Sequence, residues 1–306
     1  MHTSTVATEV QAEDQRPTEL AVEKKSAGVD WLTVTVKDQE LRRIVFEFTS
    51  DALSRLKDQG YVQRPWSFRG YTGYSAAGFR WGDRHDSSIV MLSGQTAQLN
   101  WPVMLAWATN ITRIDLAVTI TLHEPVQRVA RAAYDRIVTD GHRPCKSIQK
   151  YSFIENNEGG ETFYLGSRAS DQYGRLYDKG REKGAALDLP PGKCWRYEVE
   201  FKAYRAGRIG RQLLESARRN DDGARLDIAQ TVYKWFLSRG VVPIWKTDMG
   251  TAYSTESYAR VTDDDISLRW LSTQVSPTVR RLIAKGLGDE VIASLGLEGI
   301  DIIEKL

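Results

Sequence analysis

The segment Arg175-Leu176-Tyr177-Asp178-Lys179 sets a tyrosine between two cations. A phenol has a pKa near 10 and is a poor nucleophile at neutral pH. A cation within a few ångströms stabilises the phenolate. A phosphodiester under attack also needs positive charge around its equatorial oxygens. Arg175 and Lys179 answer both needs, because alternate residues of a strand share a face. The competing reading is a tyrosine that packs its ring and hydrogen-bonds its hydroxyl.

Two other segments place charges where half-buried strands are expected. In Trp195-Arg196-Tyr197-Glu198-Val199-Glu200-Phe201-Lys202, one face is Arg196, Glu198, Glu200 and Lys202, and the other is apolar. In Arg113–Leu122, Arg113, Asp115, Ala117 and Thr119 share one face, and Ile114, Leu116, Val118 and Ile120 the other. Two chemistries fit. One is a solvent-exposed antiparallel face with cross-strand ion pairs. The other is a carboxylate cluster on adjacent strands binding a hard divalent cation, Mg²⁺ or Mn²⁺.

Other chemistries lack motifs. His2, His85, His123 and His142 are isolated, so no local two-histidine metal clamp exists. No phosphate-binding glycine loop, dinucleotide fingerprint or serine-hydrolase elbow is present. Cys145 and Cys194 make neither a zinc site nor a disulfide framework. Lys202, Arg205, Arg208, Arg211, Arg218 and Arg219 form a basic stretch that can meet phosphates. A solvated helix face explains it equally well.

The elements that must position these residues follow from periodicity. Trp31–Val36 alternates as a strand, and Leu41–Gly60 reads as a helix with a glycine stop. Glycine-punctuated hairpins follow through Tyr71–Tyr74, Gly78–Gly82 and Ser88–Gly94. Pro125 is expected to open a helix with Val126, Val129, Ala130, Ala133 and Ile137 on one face, ending at Gly141. Thr162–Leu165, Gly174–Asp178 and Trp195–Lys202 are strands. Helices are expected over Leu226–Leu237, Ile266–Gln274 and Thr278–Leu295. Trp66, Phe68, Tyr71, Tyr74, Phe79 and Trp81 are read as hairpin packing, with stacking on unpaired bases as the alternative. No internal repeat is visible. The expected class is α+β: an antiparallel-sheet core with a helical C-terminal part. The expected divisions are a flexible tail at 1–29, the core at 30–205, and a DNA-binding helical region at 206–306.

The 306 residues carry a net charge of only +2 and are 41% hydrophobic, so a global basic field is not the argument for a nucleic-acid partner. No apolar run approaches the roughly 20 residues of a membrane span. The polar start lacks a signal core, and the cytoplasm is the expected location.

Four segments, in order, resemble the rolling-circle replication initiation factor (Rep_trans-type) family of plasmid and phage initiators and related relaxases. They are Thr112–Ala117, Phe163–Arg168 with Ser170, Arg175–Gly180, and Trp195–Lys202. The resemblance spans about Asp30 to Lys246. It implies a protein that binds an origin, nicks one strand and stays joined to the 5′ phosphate through a tyrosine, here Tyr177. Arg175 and Lys179 would assist it. It also implies a divalent metal on acidic residues, which by motif position are Asp115, Glu198 and Glu200. The family often has another acid where this chain has Thr119. Arg168, Arg196, Lys202, Arg205, Arg208 and Arg211 are the candidate DNA contacts. The implied partners are origin DNA with a single-stranded nick site, a host helicase and a second copy of the chain. A conjugative relaxase and a non-cutting DNA-binding regulator are the alternative readings.

Overall fold

The computed structural model describes residues 21–139, 150–156, 159–181, 189–219, 221–245 and 276–294. The chain forms two compact units, Met1–Thr255 and Glu256–Leu306. The first unit holds one ten-stranded antiparallel sheet. Its strands are β1 (Val22–Val36), β2 (Arg64–Phe68), β3 (Tyr71–Ala76), β4 (Phe79–Arg84), β5 (Ser87–Ser93), β6 (Asn110–Leu122), β7 (Tyr151–Glu155), β8 (Glu161–Leu165), β9 (Gln172–Asp178) and β10 (Cys194–Lys202). They lie side by side in the order β2-β3-β4-β5-β1-β6-β10-β9-β8-β7.

That order reveals a repeat of topology. Helix α1 (Gln39–Asp58) follows β1, and four strands then pair back to it in sequence. Helix α3 (Val129–Thr139) follows β6, and four strands pair back to it in the same way. Helix α2 (Gln95–Trp107) follows the first half, and α4 (Ala203–Arg219) and α5 (Asp221–Leu237) follow the second. The long strands β1 and β6 pair at the centre. The residue pattern conceals the repeat because the two halves have different side chains at matching places.

The alternation of β6 and β10 explains the layering. Ile114, Leu116, Val118 and Ile120 of β6 and Tyr197, Val199 and Phe201 of β10 are fully buried. They pack in one core with Val45 and Leu53 of α1, Trp101 and Met104 of α2, Ala130 of α3, Ile209 and Leu213 of α4, and Phe236 of α5. The five helices therefore cover one sheet face. Helix α4 reads its packing stripe directly: Ala206, Ile209, Gly210, Leu213 and Ser216 are buried at helical spacing. Helix α1 starts where the Asp38 carboxylate accepts the Leu41 N–H at 2.9 Å.

Several boundaries depart from the sequence reading. Val22–Val29 is strand, not tail, because it pairs with β6 from Val22↔Leu122 to Val29↔Leu116. The expected helix at Pro125 begins only at Val129. Val126 is tied to the turn before β10: its N–H bonds Gly192 O, and its carbonyl accepts the Trp195 indole. The boundary at 205 falls inside α4, and α4 and α5 pack on the sheet as part of the first unit. The charged faces of β6 and β10 are not exposed: Asp115, Arg196, Glu198 and Glu200 are all buried. Cys194 is a buried free thiol. In the second unit the expected helix over Thr278–Leu295 is two helices, α6 (Ser276–Ile283) and α7 (Gly288–Ser294). Gly286 interrupts them with φ +80°. Cys145 and the helix expected over Ile266–Gln274 lie outside the described residues.

Candidate functional site

The face opposite the helices carries the charged residues, and strand register sets their mutual positions. Glu200 lies opposite Asp115 on β6 and Tyr173 on β9. Glu198 lies opposite Ala117 and Arg175. Arg196 lies opposite Thr119 and Tyr177. Directly opposed residues share a side, with Cβ atoms roughly 5 Å apart. Asp115, Glu198, Glu200, Arg175, Arg196 and Tyr177 thus form one patch on three adjacent strands.

The pairings within it are specific. Arg113 reaches Asp115 through Nε at 2.9 Å and Nη2 at 2.6 Å. The same Nη2 is 2.7 Å from Glu200, whose other oxygen meets Lys202. Glu198 is 1% exposed. One of its oxygens takes a short hydrogen bond from Arg175 Nη2. The other accepts the Tyr177 hydroxyl at 3.4 Å and lies 3.9 Å from Arg196 Nε. Burial pushes the Asp115 carboxyl up to about 7; Glu198 and Glu200 push the same way and Arg113 opposes them. Burial works against the Arg175 charge, but the Glu198 carboxylate more than offsets it and raises its pKa.

Tyr177 sits in a cleft of about 340 Å³ lined also by Asp30, Tyr164, Arg175, Arg181 and Glu198. Lys179, in the 3₁₀ turn after β9, holds its ammonium 5.9 Å from the centre of the Tyr177 ring. Asp178 is buried beside it. Its carboxylate accepts the N–H groups of Gly180 at 3.0 Å and Gly192 at 2.8 Å. It therefore fixes the chain on which Tyr177 and Lys179 are mounted.

Asp30 is a residue the pattern hides. The β1–β6 register shifts between Val29 and Trp31. This bulge gives β1 one extra residue, and such bulges re-aim side chains. Asp30 turns into the cleft and pairs with Arg196 Nη2. Arg196 also approaches Thr119 Oγ1 at 3.5 Å, where the family resemblance anticipates an acid.

The remaining candidates divide by location. Arg168 is on the turn between β8 and β9, its guanidinium 5.9 Å from the Tyr173 ring centre. Arg205 pairs with Asp171 at 2.7 Å. Arg208 and Arg211 lie on α4, which packs on the helix-covered face. The structure does not bring these two to the Tyr177 patch.

Asp115 and Glu200 offer hard oxygen ligands, and they already hold one cationic nitrogen, Arg113 Nη2, between them. In donor type they suit Mg²⁺ or Mn²⁺. The three expected acids do not converge, however. Among the described residues, no three Asp, Glu, His or Cys side chains are grouped to hold an ion, and Arg113, Arg175 and Lys202 pair with the oxygens of Glu198 and Glu200.

Fold and site together define a class: an α+β protein with helices on one face of an antiparallel sheet and an acid–arginine–tyrosine cluster on the other. The chain belongs to the replication initiation factor family (Rep_trans), whose model matches residues 109–291. Its fold is also that of the rolling circle replication initiator protein from Geobacillus stearothermophilus. The two share 21% sequence identity at a TM-score of 0.50, over 71% of this chain and 86% of that one. No curated protein sequence matches the chain. Among the described residues, no helix is long and apolar enough to cross a membrane.

Proposed function

We propose that this chain initiates rolling-circle replication by nicking one DNA strand at an origin with Tyr177. The observation that carries the reading is the Tyr177 hydroxyl donating to the buried Glu198 carboxylate inside a cleft that also holds Arg175 and Arg181. Glu198 takes the phenol proton as general base. The Tyr177 oxygen attacks the scissile phosphorus, a Tyr177 O–P bond forms, and the P–O3′ bond breaks. The leaving oxygen gains a proton and becomes a free 3′ hydroxyl, while the 5′ phosphate stays on the tyrosine. The phosphotyrosyl ester conserves the bond energy, so rejoining needs no nucleotide.

Arg175 and Lys179 place positive charge beside the attacked phosphate. Arg196 sits between Asp30 and Glu198 and keeps the general base oriented. Arg168 and Lys202 would meet the DNA backbone at the far end of β9 and β10. A divalent ion, were it bound, would take its hard oxygen ligands from Asp115 and Glu200 and would withdraw charge from the phosphate.

The test is denaturing gel electrophoresis of protein incubated with Mn²⁺ and supercoiled DNA carrying its replicon's origin. Wild type should give nicked circles and a covalent protein–DNA band. Tyr177→Phe should give no covalent band. Glu198→Gln should bind the DNA but form the adduct about 10²–10⁴-fold more slowly. A covalent band from Tyr177→Phe would remove Tyr177 as the nucleophile.

A further inference from the structure

The family match begins at residue 109, so the first half of the sheet lies outside it. That half carries a surface of its own on the face shared with Tyr177. Trp31 lies opposite Asp115 on β6. Arg80 on β4 lies opposite Met91 on β5, which lies opposite Thr33. Trp66 on β2 lies opposite Gly73 on β3, which lies opposite Gly82 on β4. Register therefore carries one face from the acid patch across to the β2 edge. The helices of the first unit, α1 to α5, pack on the opposite face.

The side chains on this face alternate rings and guanidinium groups. Trp31 holds Arg113 at 4.7 Å and Arg80 at 5.3 Å from its ring centre. Arg84 lies over Tyr71 at 4.6 Å and Arg69 over Phe68 at 5.2 Å. Trp66 and Phe68 are stacked, with ring centres 5.9 Å apart and planes 15° apart. Gly82 makes this possible, since a Cβ there would strike the Trp66 ring. The acids nearby are already committed: Asp86 to Arg84, and Asp83 to Arg42 of α1. Arg64, Arg69 and Arg80 have no carboxylate partner among the described residues.

We infer that the first half of the sheet is a platform for single-stranded DNA leading away from the Tyr177 cleft. Trp31, Trp66 and Tyr71 pack with Ile89 and Met91 as the base of this surface. The exposed Phe68 ring beside the exposed Arg64 and Arg69 is where unstacked bases and their phosphates can be taken up, whereas duplex hides its bases from such a surface. Continuity with the cleft argues for the strand being cut as the occupant. Seven inter-strand steps separate β9 from β2, or roughly 34 Å at about 4.8 Å per step. A stacked strand of about ten nucleotides spans that distance at about 3.4 Å each. The binding of a strand follows from this surface alone; only its direction rests on the nicking reading.

The experiment uses fluorescence anisotropy of the full chain with labelled oligothymidylates of about five, ten and twenty nucleotides, and with a duplex. Wild type should tighten markedly between about five and ten nucleotides and weaken with salt. The variant Arg64→Ala/Phe68→Ala/Arg69→Ala changes only exposed residues. It should bind the longest oligothymidylate at least ~10-fold more weakly, leave duplex affinity unchanged and melt within a few degrees of wild type. Phe68→Trp should keep wild-type affinity. Unchanged single-strand binding by the triple variant, or a loss confined to duplex, would overturn the platform. If wild type forms no covalent adduct but the triple variant still loses oligothymidylate binding, the nicking reading fails and the platform stands.

Discussion

Asp115 shows how one side chain sets the conditions for the site. Its carboxyl is raised from an ordinary 3.8 to about 7, chiefly by burial. The sign follows directly. Between those values the folded chain holds a proton that the unfolded chain lacks. Without metal, that proton favours the folded state at low pH, and the advantage is lost as pH rises through about 7. Metal binding must expel the same proton. The apparent affinity for Mn²⁺ should climb up to about tenfold per pH unit below 7 and level off above it. Electron paramagnetic resonance of free Mn²⁺ measures this, and a flat profile would remove Asp115 from the ligand set. Most of the site was legible at this scale. Tyr177, Asp115, Glu198 and Glu200 all fall on the face that alternation assigns them. Asp30 was not legible, because its orientation depends on a bulge that exists only when β1 meets β6.

At the scale of the element, legibility followed periodicity. Strands β6, β9 and β10 declare themselves by alternation, and α4 by its apolar stripe. Helix α2 leaves no clear periodic mark in the sequence. It has no side-chain N-cap bond, contains Pro102 and carries apolar residues on all sides, so neither its ends nor its face stand out. Strand β7 is short and mixes exposed aromatic and charged residues. Close packing between elements is legible only in the fold. Gly174 of β9 is a buried glycine in a strand, and its reason is the Trp235 ring of α5, which a Cβ at 174 would overlap. Gly174→Ala should therefore cost about 1–3 kcal/mol through overpacking. Urea unfolding followed by circular dichroism would show it as a lower midpoint with unchanged slope. An unchanged midpoint would mean that α5 shifts freely on β9.

For the whole molecule, the repeat of topology ties the two halves into one object. The half that holds Tyr177 contributes β6 to the centre and takes β1 from the other half as its neighbour. A fragment limited to the family-matched residues 109–291 would leave the β6 edge unpaired and part of its core open to water. Long unpaired hydrophobic edges drive aggregation. That fragment should be insoluble or protease-sensitive, whereas the complete first unit should resist limited proteolysis. A soluble, cooperatively melting fragment would show that the halves are separable. The halves also differ in surface chemistry. In one, the bare face has acids and a tyrosine; in the other it has rings and arginines.

The long hydrogen-bonded seam between β1 and β6 has a mechanical corollary. Two lobes joined by a flexible strap can shut on a substrate like jaws. Two half-sheets welded along their longest strands cannot, because any hinge there would break a dozen-residue ladder. On the proposed reading a strand of DNA is drawn across this face as over an anvil, and whatever grips that strand from above comes from outside this sheet.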